Sequence, residues 1–100
     1  MIVALLVVGA PANALAAGCE EEGVPLELRE ALVGTPLELA RQASKASADG
    51  IGIGGDSRHL ALVLAAAPGR AYLDATAGDA RAFAQAAARI AARRPLRFAP

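Results

Sequence analysis

The chain is organised around Gly18-Cys19-Glu20-Glu21-Glu22-Gly23-Val24-Pro25, which combines the last turn of a predicted helix, a glycine stop and a proline that opens a strand. The three glutamates, here called the acidic turn, lie where the helix dipole is already negative, and each such placement costs about 0.3–1 kcal/mol. A charge pattern that opposes local stability indicates a second purpose. A solvated helix face, on which glutamate is common, is the alternative interpretation.

The helical period predicts where each carboxylate points. At about 100° per residue, Glu20 lies on the flank of the buried stripe, Glu22 lies near its edge and Glu21 points almost directly away. The residues of that predicted stripe are Ala12, Leu15, Ala16 and Cys19. Glu21 is therefore the acid predicted to be most free to meet a partner or an ion. Because its charge opposes the dipole, Glu21→Gln is expected to leave the isolated domain as stable as before or slightly more stable.

Length and charge limit the class of protein. One hundred residues predict a single domain, 1–100, and ten basic against ten acidic side chains give no charge argument for nucleic acid or an anionic membrane. Cys19 is the only cysteine, which excludes an internal disulfide and indicates a cytosolic protein. A buried helix position suits this cysteine better than the role of a nucleophile.

The apolar N-terminus, 1–17, does not predict a signal peptide. It has no positive n-region, and Gly9, Pro11 and Asn13 interrupt the apolar run. No segment approaches the roughly 20 apolar residues of a membrane span. We therefore expect a soluble, cytoplasmic protein without a membrane partner.

Five strands are predicted, at 2–8, 25–30, 51–54, 60–64 and 70–74. The first is continuously apolar, which is typical of a central parallel strand covered on both faces. The second alternates apolar and charged residues after a proline, which indicates a sheet edge. The glycines of the third allow a helix or another backbone to approach closely. A four-residue turn joins the third strand to the fourth, so the fourth should run antiparallel to the rest.

Three helices complete the pattern. The first runs from Pro11 to Glu22, the second begins at the Thr35 N-cap with Pro36 at its first position, and the third begins at the cap 76–79. In the third helix the predicted inward residues are Phe83, Ala87 and Ile90, and the predicted outward residues are Arg81, Gln85 and Arg89. The order β-α-β-α-β-β-β-α predicts a three-layer α/β/α domain with a five-stranded mixed sheet and an antiparallel fourth strand, an anticodon-binding-domain-like arrangement.

No motif amounts to an active site. Residues 50–55 match the dinucleotide fingerprint G-x-G-x-x-G, but a helix precedes them and a turn follows, the reverse of what a pyrophosphate site needs. His59 lacks neighbouring metal ligands, and its turn with Asp56 is too short for a hydrolase triad. Asp74 and Asp79 lie near a strand end where open α/β sheets bind ligands. The residues alone predict a non-catalytic domain that works by binding.

The order of motifs resembles a known family. Residues 18–25 resemble the G-x-E-E-x-G-V/I-P signature of the small subunit of diol and glycerol dehydratase reactivases. Residues 50–55 are similar to that family's G-I-G strand and the turn into its hairpin. Leu96, after a helix and a proline, is similar to its ending. Ala17 departs from the family, whose members often carry tryptophan there.

The resemblance implies a non-catalytic subunit of a chaperone-like reactivating factor. Such a subunit forms a heterotetramer with a large, actin-like ATPase subunit, and together they release damaged cobalamin from a B12-dependent dehydratase so that intact adenosylcobalamin can enter. The small subunit mimics the medium subunit of the dehydratase, and subunit exchange is the implied mechanism. In the family the second glutamate of the signature completes a Mg²⁺ site at the interface with the large subunit. That position is Glu21, with Glu20 and Glu22 beside it at the interface.

Two alternatives stay open. The chain could be a medium-subunit-like fragment of the dehydratase itself, or a stand-alone domain that binds a small ligand at the glycine strand or at the carboxyl ends of the strands. The reactivase interpretation expects the isolated chain to bind neither cobalamin nor a nucleotide. It leaves open whether the protein associates with a bacterial microcompartment.

Overall fold

The structure is a computed structural model that describes residues 1–93. Its elements follow the predicted order: β1 (Ile2–Val7), α1 (Ala12–Glu21), β2 (Leu26–Ala31), α2 (Pro36–Ala46), β3 (Ile51–Gly55), β4 (His59–Leu64), β5 (Leu73–Thr76), a short 3₁₀ helix (Ala77–Asp79) and α3 (Ala80–Ala91). Leu96 and the proline before it, in which the sequence resembles the ending of the reactivase family, lie outside the described residues.

One mixed sheet carries the fold, with the strand order β2-β1-β3-β4-β5. β1 pairs in parallel with β2 and β3, whereas β4 runs antiparallel to both of its neighbours. β1 is mostly buried, and β2 at the edge is half exposed. The predictions of a central first strand, an edge second strand and an antiparallel fourth strand are confirmed.

The fifth strand starts later than predicted. Its ladder with β4 joins Leu73 to Leu62 and Thr76 to His59, so residues 70–72 belong to the connection. The reason is that the chain needs residues 65–72, not the Pro68-Gly69 turn alone, to reverse direction after β4. The boundary 70–74 was therefore wrong by a few residues, although the strand and its direction are correct.

The helices lie on both faces of the sheet, which confirms the three-layer arrangement. α1 and α3 pack against each other and cover one face, over a core that includes Leu15, Phe83 and Leu62. α2 covers the other face, over β1, β3 and β4. The chain passes from β1 to β2 on one side of β1 and then crosses back to β3, so crossovers of one hand place α1 and α2 on opposite faces.

The glycines of β3 explain how closely α2 approaches the sheet. All five residues of β3 are buried. A Cβ on Gly52 would lie 2.1 Å from the Ser44 nitrogen, and a Cβ on Gly54 would lie 2.1 Å from the Pro36 carbonyl oxygen. The prediction that a helix approaches this strand is confirmed. The same contact leaves no room for a ligand on the glycine strand.

The two later helices begin in different ways. The Thr35 hydroxyl accepts the Glu38 N–H at 3.2 Å, which confirms the predicted N-cap of α2. α3 is entered through the 3₁₀ helix instead, and Thr76 donates its hydroxyl to the Asp79 carboxylate at 3.3 Å. Thr76 and Asp79 hold the N-cap positions of the 3₁₀ helix and of α3, so the predicted place of the cap is confirmed, but neither side chain accepts a backbone N–H of the helix that follows.

Candidate functional site

The acidic turn is set by the way α1 ends. The Gly23 N–H donates to the Glu20 carbonyl at 3.0 Å and the Val24 N–H donates to the Cys19 carbonyl at 3.0 Å. Gly23 has φ +69°, the left-handed conformation that glycine adopts with least strain. The helix therefore stops at the glycine as predicted, and the three carboxylates lie on its last turn.

A second packing surface on α1 decides where those carboxylates point. A Cβ on Gly18 would lie 2.4 Å from the Arg81 carbonyl oxygen and 2.7 Å from the Ala84 Cβ, so α3 touches the backbone of α1 at this glycine. Cys19 is buried beside it, with its Sγ 3.8 Å from the Ala84 carbonyl oxygen. The helix is thus covered by the sheet on one side and by α3 on another.

Glu21 is held by α3 and is not free, contrary to the prediction from the helical period. Arg81 donates from Nε to Oε1 of Glu21 at 2.6 Å and from its terminal nitrogen to Oε2 at 2.9 Å. Gln85 donates to the same Oε2 at 3.0 Å. The hydrogen bonds from Arg81 lower the pKa of the Glu21 carboxyl. The prediction was wrong because it counted only the sheet as a packing partner of α1.

Glu22 forms the inner pair of the same helix–helix contact. Arg89 donates to Oε2 of Glu22 at 3.1 Å, and each of the two side chains is only 12% exposed. Arg81, Gln85 and Arg89 therefore form a polar stripe on α3 that faces the end of α1. The predicted outward position holds for Arg81, which is 67% exposed, and is wrong for Arg89, which is 12% exposed. The predicted inward residues of α3 are confirmed, since Phe83 and Ala87 are buried and Ile90 packs partly buried against the same core.

Glu20 is exposed, as is Glu21, whose side chain is 36% exposed. Within residues 1–93 the Glu20 side chain has no hydrogen bond or ion pair, and it borders a shallow hollow with Val24 and Leu26 next to β2. The structure thus reverses the predicted ranking, because Glu20 and not Glu21 offers an unengaged carboxylate. The missed partners had a sequence signal, since the polar residues of α3 recur every four residues on one helical stripe.

The acidic turn does not fit a Mg²⁺ ion as it stands. Both oxygens of Glu21 accept hydrogen bonds, and the guanidinium that donates most of them carries a positive charge. Residues 1–93 contain no group of three or more aspartate, glutamate, histidine or cysteine side chains that could hold a metal. A Mg²⁺ ion would have to compete with Arg81 for the oxygens of Glu21.

The other polar motifs serve the hairpin and the edge of the sheet. Oδ1 of Asp56 accepts the N–H groups of Arg58 and His59 at 2.8 and 2.7 Å, and these bonds lower the pKa of Asp56. His59 is exposed at the start of β4. It borders an open groove of about 600 Å³ between α2 and β5, together with Asp74.

These features describe the class of protein to which the chain belongs. The described residues form an α/β domain with a charged helix–helix contact and no convergent set of acid, base and nucleophile, and none of their helices is long and apolar enough to cross a membrane. Residues 4–97 match the family model described as dehydratase medium subunit. The chain belongs to this family.

Two solved structures share the fold over nearly their whole length. A diol dehydratase-reactivating factor, whose structure was determined with ADP and Mg²⁺, superposes with a TM-score of 0.88 at 23% identity, covering 97% of this chain and 96% of that chain. A glycerol dehydratase reactivase superposes with a TM-score of 0.86 at 21% identity, covering 96% and 95%. No curated protein matches the chain. At these identities the two structures establish the fold.

Proposed function

We propose that this chain is the small, non-catalytic subunit of a reactivating factor for a B12-dependent diol or glycerol dehydratase. It works in the cytoplasm with a large ATPase subunit that drives the release of damaged cobalamin. Its own task is to exchange with the medium subunit of the dehydratase, which opens the enzyme so that intact adenosylcobalamin can enter.

One observation carries the proposal: the chain resembles both sides of such an exchange. Its sequence matches a family described as dehydratase medium subunit over residues 4–97. Its fold superposes with chains of two reactivating factors, and each superposition covers at least 95% of both chains. A domain that replaces a medium subunit needs the same fold, and it needs no catalytic residues of its own.

The acidic turn is the proposed contact with the large subunit. Glu20 is exposed and unengaged within the described residues, whereas Glu21 and Glu22 are joined to α3 by ion pairs. We propose that Glu21 becomes a Mg²⁺ ligand at that interface when the hydrogen bonds from Arg81 to the Glu21 carboxylate break. Removing Arg81 should then favour metal-dependent assembly, and removing Glu21 should weaken it.

Assembly tests this contact directly. Arg81→Gln should lower the Mg²⁺ concentration at which the two subunits co-purify, whereas Glu21→Gln should raise it. Arg70→Gln, on an exposed turn, is the matched control. If a chelator leaves assembly of the parent unchanged, Glu21 is not a metal ligand, although the subunit role itself would stand.

Reactivation tests the function as a whole. The dehydratase is first inactivated with damaged cobalamin, and activity is then followed with the large subunit, ATP and adenosylcobalamin, with and without this chain. We expect recovery only when both subunits are present, and no ATP hydrolysis by this chain alone. Recovery that is independent of this chain would contradict the proposal.

The second candidate is a medium subunit of the dehydratase itself, which the description of the matching family favours. In that case the chain should co-purify with the catalytic subunit and should be required for dehydration with fresh adenosylcobalamin. A reactivase subunit should be dispensable in that assay. The two roles therefore separate in a single experiment with undamaged cofactor.

The third candidate is a stand-alone domain that binds a small ligand. The glycine strand is covered by α2, so under this candidate the ligand would have to bind in the groove beside His59 and Asp74. Titration calorimetry of the isolated chain with cobalamin and with ADP should show no binding under our proposal. Tight binding of either ligand would favour this candidate.

A further inference from the structure

The outer edge of β2 carries a row of backbone groups that no described strand uses. β2 is the last strand on its side of the sheet. The Ile2 N–H donates to the Pro25 carbonyl, which fixes the alternation of the ladder between β1 and β2. By that alternation Glu27 and Arg29 turn their N–H and C=O groups towards β1. Leu26, Leu28 and Glu30 therefore turn theirs outward.

This edge carries only part of the usual protection against pairing. Natural sheets block an edge strand with charged side chains, lysine above all, with proline, with a bulge or with a covering element. β2 contains no lysine or proline and its register with β1 is continuous from Leu26 to Ala31, while its charges include the neighbouring opposite pair Glu27 and Arg29. Leu28 is 45% exposed on it, and Leu32 just beyond its end is 96% exposed. The edge is thus available, and it displays apolar side chains.

Charge selects one way in which the strand can pair with itself. In an antiparallel pair of identical strands centred on Leu28, Glu27 of one copy lies opposite Arg29 of the other, on both sides of the two-fold axis. A shift of one pair in either direction places Glu27 opposite Glu27, or Arg29 opposite Arg29. Like charges directly opposite each other are destabilising, so the centred register is preferred.

The same register matches the backbone and the apolar side chains. Leu28 faces Leu28 of the second copy and Leu26 faces Glu30, so the hydrogen-bonded pairs between the two copies are formed by the residues whose N–H and C=O groups point outward. Continued by one more step, the register sets the exposed Leu32 beside Val24 of the second copy. In the single chain Arg29 already pairs with Glu27 on one face of β2. Two copies would arrange these four charges as a square of alternating sign.

We infer that this protein forms a symmetric dimer in which the β2 strands of two copies pair antiparallel about Leu28, giving one continuous ten-stranded sheet. The interface is isologous, so the contact between Glu27 and Arg29 occurs twice, once on each side of the axis. The inference does not depend on the proposed function, because it uses only the edge strand and its register.

Charge reversal tests the dimer and its register together. The full chain is followed by sedimentation velocity over a range of concentrations. The parent should dimerise, and Glu27→Arg or Arg29→Glu should each raise the dissociation constant about tenfold or more, because two attractive pairs become repulsive. The double variant Glu27→Arg/Arg29→Glu should dimerise like the parent, since the charges are exchanged and still complementary.

Mixing supplies a stricter test. The Glu27→Arg and Arg29→Glu chains, each weak alone, should form a heterodimer when combined, because one displays two positive and the other two negative side chains in this register. Arg70→Glu, an exposed change of the same size in charge, should leave dimerisation unchanged. A monomeric parent, single variants that dimerise like the parent, or a double variant or mixture that stays monomeric would each overturn the inference. Such results would leave the reactivase proposal untouched.

Discussion

The glutamates of the acidic turn oppose the dipole of α1, and the structure shows what offsets them. Arg81 and Arg89 reach across from α3 to Glu21 and Glu22. A positive charge placed beside the C-terminus of a helix, even from another helix, compensates the same partial charges that a lysine in the last turn would. The local conflict visible in the sequence is thus resolved by tertiary contacts.

Neutralising Glu21 should therefore destabilise the domain slightly, opposite to the expectation from the dipole alone. Glu21→Gln relieves the dipole but loses the two-pronged contact with Arg81. Because the folded pKa of Glu21 lies below its ordinary value of 4.5, its contribution is present above pH 4.5 and is lost as the pH falls further. Urea unfolding of parent and variant at pH 7 and below pH 4 measures this difference.

The matched control is Glu20→Gln, which changes the same charge on an exposed side chain without a partner in the described residues. It should leave the free energy of unfolding within about 0.5 kcal/mol of the parent at both pH values. A gain in stability for Glu21→Gln would show that the dipole outweighs the pair with Arg81.

Cys19 should make the domain sensitive to alkaline pH. Burial raises the pKa of its thiol from 9.0 to about 11. The unfolded chain therefore loses this proton first, and stability falls as the pH rises from about 9 to 11, by about 2–3 kcal/mol. Cys19→Ala should remove that part of the pH dependence, which chemical denaturation at pH 8 and pH 11 would detect. Equal pH dependence in parent and variant would contradict the assignment to Cys19.

At the scale of the elements, the close packing of α2 on β3 requires glycine at Gly52 and Gly54, where a side chain would meet the backbone of α2. A methyl group on Gly54 would lie 2.1 Å from the Pro36 carbonyl oxygen and 2.3 Å from the Ala40 nitrogen, both backbone atoms. Gly54→Ala should therefore force α2 away from the sheet and cost about 1–3 kcal/mol in the free energy of unfolding. Thermal or urea unfolding measures this cost.

Gly78→Ala is the control for that change. Among residues 1–93 nothing lies within 4 Å of a Cβ at Gly78, and its φ is not positive. Its stability should stay within about 0.5 kcal/mol of the parent. If Gly54→Ala is tolerated as well as Gly78→Ala, the close packing of α2 on β3 is not required.

The elements show what the sequence could predict and what it could not. The continuous apolar run of β1, the alternation of β2 and the short turn before β4 depend on local patterns, and all three predictions held. The side of α3 that carries Arg81 and Arg89 depends on which helix lies next to it. A helical wheel assumes one buried stripe, whereas α1 packs against both the sheet and α3, so the wheel placed Glu21 away from every partner.

At the scale of the whole molecule, order and direction of the strands followed from connection lengths. Strand–helix–strand units close together predict parallel neighbours, and a four-residue turn predicts an antiparallel one. The position of the candidate site was predicted from the sequence, but the ion pairs that engage its glutamates were not. The acidic turn was recognised from its spacing, whereas its engagement by α3 involves residues about sixty positions away.

The central place of β3 sets the order in which the backbone should open to solvent. All five of its residues are buried, it is bonded to β1 and β4, and helices cover both faces of the sheet. Its amide hydrogens should therefore exchange with deuterium only through global unfolding, whereas those of the edge strand β5 should exchange through smaller openings. Mass spectrometry of peptides spanning 51–55 and 73–76 would measure both rates. Under native conditions the ratio of the two exchange rates measures how much less free energy the opening of β5 requires than global unfolding.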